Sequence, residues 1–121
     1  MGNPLHHHKI NYVEFHAKDV EQAKKFYGSV FGWSFQDYGP EYAAFSKESA
    51  GIDGGFAKGD RGGGGSESAP LIVLYSADLK ATEDAIVAAG GGIVVPVFEF
   101  PGGRRFHFSD GVGNVLAVWS E

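Results

Sequence analysis

The sequence predicts an α+β fold made of two βαβββ modules in one chain, with curved mixed sheets that form a cleft and helices on their convex side. Three observations predict it. Two segments, Ile10 to Trp33 and Leu71 to Gly92, share one plan: a short apolar run, an Asp, an amphipathic stretch, then glycine. Their landmarks keep one spacing, since Asp19 and Asp78 lie 59 positions apart, as do Gly32 and Gly91. Between them runs Gly62-Gly63-Gly64-Gly65-Ser66-Glu67-Ser68, a linker by composition. A repeat of this length cannot bury its own apolar face, so two must pack on each other. The cleft between them is the first place to look for function.

The elements follow in order. Val13 and Phe15 alternate with Tyr12, Glu14 and His16, the pattern of a half-buried strand. Asp19 is a good helix N-cap, and Gln22 stands where a capping box closes. Val20, Ala23, Phe26, Tyr27, Val30 and Phe31 recur at helical spacing with Glu21, Lys24 and Lys25 opposite. Gly32 ends that helix. Strands are expected over Trp33–Asp37, Tyr42–Lys47 and Ile52–Ala57, with turns at Gly39-Pro40 and Ser49-Ala50-Gly51. The second module repeats this: a strand over Leu71–Ser76, a helix capped by Asp78 and stopped by Gly90-Gly91-Gly92, then strands over Ile93–Phe98, Arg105–Ser109 and Val115–Trp119. Asp110 to Asn114 is dense in turn chemistry, and both end residues are expected to cap their own backbone. The modules span about 9–60 and 70–121, with the linker at about 61–69, in one domain over 1–121.

Composition removes several function classes. The 121 residues suffice for one domain with a core. No apolar run approaches the roughly 20 residues of a membrane span, so no membrane partner is expected. Net charge is −5, with no basic cluster larger than Lys24-Lys25 or Arg104-Arg105, which argues against nucleic acid. There is no cysteine, which removes thiolate chemistry. With no apolar signal core near the N-terminus, a cytoplasmic protein is expected. His6-His7-His8 lies in a tail and reads as an incidental metal handle.

Val13-Glu14-Phe15 before Asp19, the string FYGSVFGW from Phe26 to Trp33, and the closing DGVGNVLAVW from Asp110 to Trp119 carry a resemblance. With them the chain resembles the vicinal-oxygen-chelate superfamily, which includes glyoxalase, bleomycin-resistance and dioxygenase proteins. It is most similar to the uncharacterised glyoxalase-related branch. The resemblance implies paired βαβββ modules, and often a homodimer. It also implies where a divalent ion would be held. The first-strand ligand lies seven before the capping Asp, which is Tyr12 here; its counterpart lies six before the second cap, at Ile72. The last-strand ligand lies seven after the turn Asp, at Ala117, and the fourth falls near Gly54 or Gly55. None of these is a usual ligand, so no metal and no other cofactor is expected.

The remaining polar and aromatic residues set the candidate site. Glu14 and His107 are the candidate catalytic acid–base groups. Tyr12, Glu14, His16, Phe56, Arg105 and Trp119 are the candidate ligand-binding residues. Trp119 and Phe56 would stack on a flat ligand, with Ala117 and Gly54 making room. The Phe106-His107-Phe108 run leaves two readings open: Arg105 and His107 face the cleft, or the two phenylalanines do. The expected function is metal-independent binding of a small molecule. The alternatives are a lyase, isomerase or dioxygenase using a non-standard site of Glu14, His16 and His107, or an accessory domain with no ligand.

Overall fold

Asp19 and Asp78 each start a helix as the sequence expects. Their carboxylates accept from the Gln22 and Ala81 amides at 3.1 Å. In a computed structural model, residues 7–59 and 69–121 are described; residues 61–68 of the proposed linker and His6 lie outside them. The first module runs β1 (Tyr12–Ala17), α1 (Val20–Phe31), β2 (Phe35–Asp37), β3 (Tyr42–Phe45), α2 (Lys47–Ala50) and β4 (Asp53–Lys58). The second runs β5 (Val73–Tyr75), α3 (Leu79–Ala88), β6 (Gly92–Phe100), β7 (Gly103–Ser109) and β8 (Val115–Ser120). Each module makes a four-stranded mixed sheet, in the orders β1-β4-β3-β2 and β5-β8-β7-β6. The β1–β4 and β5–β8 pairs are parallel and the rest antiparallel. The fold is therefore the expected α+β pair of modules.

Two local differences have physical causes. Where a simple turn was expected at Ser49-Ala50-Gly51, the chain makes the one-turn helix α2. The Asp53 carboxylate accepts from the Lys47 amide at 2.7 Å, and Gly51 closes the turn at φ 93°. β6 starts one residue before its expected Ile93 and ends two beyond its expected Phe98, running from Gly92 to Phe100. Its register against β7 shifts between Ile93 and Val95 and again between Val95 and Phe98. Pro96, which has no amide hydrogen to give a ladder, lies in that irregular stretch.

Alternation decides what each sheet buries. Phe15 and Ala17 of β1, Phe45 of β3 and Phe56 of β4 point to the helix side, under Ala23, Phe26 and Tyr27 of α1. Phe106, Phe108, Leu116 and Val118 do the same in the second sheet, beneath Leu79 and Ile86 of α3. All of them belong to one core that crosses the module boundary. A large apolar side chain buried this way contributes roughly 1.5–3 kcal/mol.

The contacts that tie the modules lie on the helix side or in the 110–114 loop. Phe26 stacks on Phe108 with centroids 6.0 Å apart. The buried Tyr27 hydroxyl donates to Asp110 Oδ2 at 2.8 Å. The Lys18 amide donates to the Val112 carbonyl at 3.0 Å, and Asn114 Nδ2 donates to the His16 carbonyl at 2.9 Å. Asp110 does cap its own loop, through the Val112 and Asn114 amides. Its second oxygen does more, because it reaches into the other module.

Candidate functional site

The open face of the first sheet carries Tyr12, Glu14 and His16, as alternation requires. Tyr12 and Glu14 are exposed and His16 is half-buried. A residue the sequence reasoning passed over joins them. The Tyr42 hydroxyl donates to Glu14 Oε1 at 2.9 Å. Its single proton is then committed, so the hydrogen bond between the Tyr12 and Tyr42 hydroxyls has Tyr12 as donor. Burial, then the Tyr12 and Glu14 contacts, push the Tyr42 phenol above its ordinary value, which keeps it a proton donor. Gly55 makes room for this chain. It sits beside Glu14 in the parallel register, and a Cβ there would lie 2.5 Å from the Tyr42 hydroxyl.

The second sheet resolves the choice left open around His107. Phe106 and Phe108 are fully buried on the helix side, so Arg105 and His107 take the open face. Register places Trp119 beside Arg105 and Ala117 beside His107. From β6, Phe98 pairs with Arg105. The Arg105 guanidinium carbon lies 5.2 Å from the ring centroids of both Phe98 and Phe100. Trp119 meets Phe100 and Tyr75 edge-on, at 6.2 and 5.1 Å. A cavity of about 260 Å³ opens here between Val73, Phe100, Gly102, Arg105 and Trp119. Arg105 Nε and His107 Nε2 are both buried without a hydrogen-bond partner. Burial, then the Arg105 charge, pushes the His107 imidazole below its ordinary value, which favours the neutral ring.

Three expected placements need correction. Phe56 does not line an open face; it is fully buried and stacks on Phe15 with centroids 5.1 Å apart. The parallel register pairs Phe56 with Phe15 and Gly54 with Val13, so both turn to the helix side. It is Gly55, not Gly54, that makes room on the open face. Glu14, His16 and His107 do not gather either: among the described residues no three His, Asp or Glu side chains stand where they could hold an ion. Glu14 and His107 sit on different sheets, and no described hydrogen bond joins them.

A second cavity, of about 480 Å³, opens where β1 approaches β5, with Val13, Phe15, Trp33, Phe45, Ile72 and Leu74 in its wall. Its lining has no Asp, Glu, Lys, Arg or His. It offers shape without charge.

This pairing of βαβββ modules is matched in known proteins. The Glyoxalase/Bleomycin resistance protein/Dioxygenase superfamily matches the chain over residues 9–118. The chain belongs to that superfamily. Among curated proteins, "Putative glyoxylase CFP32" of Mycobacterium tuberculosis is 29% identical over 119 residues, covering 90% of this chain. The chain spans only 44% of that protein's length. A "Glyoxylase-like domain-containing protein" of Didymella fabae is 32% identical over 126 residues, covering 93% of both chains. Two solved structures share the fold. The fosfomycin resistance protein FosX of Listeria monocytogenes has a TM-score of 0.77 at 16% identity, covering 94% of this chain and 91% of its own. A glyoxalase-related enzyme from Fulvimarina pelagi has a TM-score of 0.75 at 18% identity, covering 94% and 88%.

The glyoxalase superfamily commonly builds its site around a divalent ion, and the positions where the resemblance implies ligands carry no usual donor. Tyr12 is hydrogen-bonded into the phenol chain, and the space over Gly55 is taken by the Tyr42 ring. In the second sheet Ala117 is fully buried. Ile72 packs against the core, which leaves Val73 beside Ala117 on the open face. These positions offer no imidazole, carboxylate or thiolate, the donors a divalent site needs.

Proposed function

We propose that this chain binds a small organic molecule without the divalent ion common in its superfamily. The observation that carries this reading is the donor set: Tyr12, Ile72, Ala117 and Gly54 or Gly55 occupy the positions where the resemblance implies ligands, and Val73 lies beside Ala117, so no imidazole, carboxylate or thiolate is offered. The open faces supply a cavity with apolar walls and few polar anchors, which is the ordinary make-up of a small-molecule site. Glu14, fixed by Tyr42, is a polar anchor on one face; Arg105 is one on the other. The superfamily's description includes bleomycin resistance, and Listeria FosX is named for fosfomycin resistance. A protein that sequesters such a drug is one instance of this reading. A cytoplasmic homodimer fits it.

The test begins with metal content. Protein with His6, His7 and His8 replaced by alanine is expected to carry far less than one divalent ion per chain by elemental analysis. About one Zn, Ni, Fe or Mn per chain would sink the proposal. Glu14→Gln is expected to weaken ligand binding while leaving the melting temperature nearly unchanged. A collapse in stability with intact binding would make Glu14 purely structural. One observation favours a second reading, acid–base catalysis of the lyase or isomerase kind: the Tyr12–Tyr42–Glu14 chain could pass a proton to or from a bound molecule. Turnover that Glu14→Gln abolishes, with binding retained, would select it.

A further inference from the structure

Among the described residues, Arg105 is a cation without an anion. The sequence has fifteen acidic residues against ten Lys and Arg, so carboxylates are plentiful. Lys24 holds Glu21 and Asp37, each at 2.7 Å, and Lys80 holds Glu83 and Asp84. Arg105 has no acidic partner among the described residues. Lys9, Lys18, Lys25, Lys47, Lys58 and Arg104 also lack one there, but all of them are exposed to water. Arg105 is half-buried, lying against Phe98 and Phe100, where lost hydration must be replaced by something.

From this geometry we infer that the cavity bounded by Val73, Phe100, Gly102, Arg105 and Trp119 binds a flat carboxylate, its ring against Trp119 and its charge on the Arg105 fork. This rests on the small-molecule reading and adds the chemical class of the ligand. The two phenyl rings hold the guanidinium by cation–π contact, so little side-chain freedom is lost when an anion arrives. The planar fork matches the two oxygens of a carboxylate. Apart from Arg105, the walls are apolar, which favours a singly charged group attached to a ring over a compact, heavily hydrated anion. His107 lies next along the same face with an unpartnered Nε2. In its neutral form it adds a hydrogen-bonding group and no second charge.

The experiment uses three probes that share one ring: 2-naphthoate, 2-naphthamide and 2-naphthylmethylammonium. Isothermal titration gives affinity, and the indole N–H resonances of Trp33 and Trp119 report location. Naphthoate is expected to bind at least about tenfold more tightly than the amide, the usual advantage of a charge-assisted pair. It should move the Trp119 resonance, leave that of buried Trp33 in place, and weaken as salt rises. Arg105→Gln should bring the acid and amide within about twofold of each other. If Arg105→Gln does not fold, Arg105→Lys serves: charge without the fork should lose several-fold in naphthoate affinity. Amide binding as tight as the acid at Trp119 would overturn the anion assignment while leaving the small-molecule reading intact. So would tighter binding of the ammonium probe. No probe binding, or binding that moves only Trp33, would overturn the site itself. The metal and Glu14 measurements then judge the broader reading separately.

Discussion

Two adjacent glycines in β4 should respond to the same mutation to very different degrees. A Cβ on Gly54 would stand 2.2 Å from the Val13 carbonyl oxygen, and 2.5 Å from a ring carbon of Phe45. Contact distances are about 3.5 Å, so the overlap exceeds an ångström, and one of the clashing atoms is backbone. Relief requires β1 to move off β4 and give up parallel ladder bonds. Gly54→Ala should therefore cost about 3 kcal/mol, the upper part of the range for overpacked cores. For a domain of this size that lowers the melting temperature by roughly 10 °C. A Cβ on Gly55 would be just as close to its neighbour, 2.5 Å from the Tyr42 hydroxyl, but that neighbour is the far end of a side chain. Tyr42 can swing away, losing its bonds to Glu14 and Tyr12 on an exposed face. Gly55→Ala should cost about 1 kcal/mol, the sum of two weak exposed hydrogen bonds. It should also free Glu14. Urea titration gives both stabilities, and the tyrosine absorbance titration reports Tyr42. Equal losses for the two variants would refute the argument, as would an unchanged Tyr42 titration in Gly55→Ala.

Other outcomes follow from the polar groups. Tyr27→Phe removes one of the donors to the buried Asp110 carboxylate and should cost about 1.5–3 kcal/mol by urea titration; a loss under about 0.5 kcal/mol would show that the bond contributes little. Burial and the Asp110 charge hold the Tyr27 phenol well above 10.0, so the unfolded chain loses that proton first. The stability it contributes is intact below pH 10 and should fall as pH rises beyond it; Tyr27→Phe should flatten that alkaline limb. His107 works in the other direction. Its ordinary value of 6.5 is lowered on folding, so the unfolded chain binds the proton more readily. Stability should hold above pH 6.5 and decline as pH falls through the lowered value, less steeply in His107→Gln.

Much of this fold could be read from the chain because its signals are local. Asp19 and Asp78 are caps that need only the next turn of helix, and the alternation of β1 needs only its own residues. Cross-strand register is not local, and the misreadings lie there. The residues of β4 alone do not say which way Phe56 faces; its register with Phe15 across the ladder does. Tyr42 was missed for the same reason: nothing near it in sequence shows that Gly55 leaves a gap for its ring. That Arg105 and His107 share a face is legible from alternation within β7, while the place of Trp119 beside Arg105 comes from the β7–β8 register. Which side they took depended on Phe106 and Phe108, and only the packed core could decide that.

The loop from Asp110 to Asn114 makes the two junctions between the modules unequal. At one, Tyr27 of α1 drives a hydroxyl into a buried carboxylate, and Asn114 grips the end of β1. In the repeat, the position equivalent to Tyr27 in α3 is Ile86, which has no hydroxyl to offer. Where α2 and its closing glycine meet β5, the wall opens into the larger cavity. The halves share a plan but are tied by buried hydrogen bonds at one end and bordered by a cavity at the other. Any rocking of one module on the other would then pivot near Asp110 and be widest at the cavity mouth. A probe of that motion belongs on Ser49 or Tyr75.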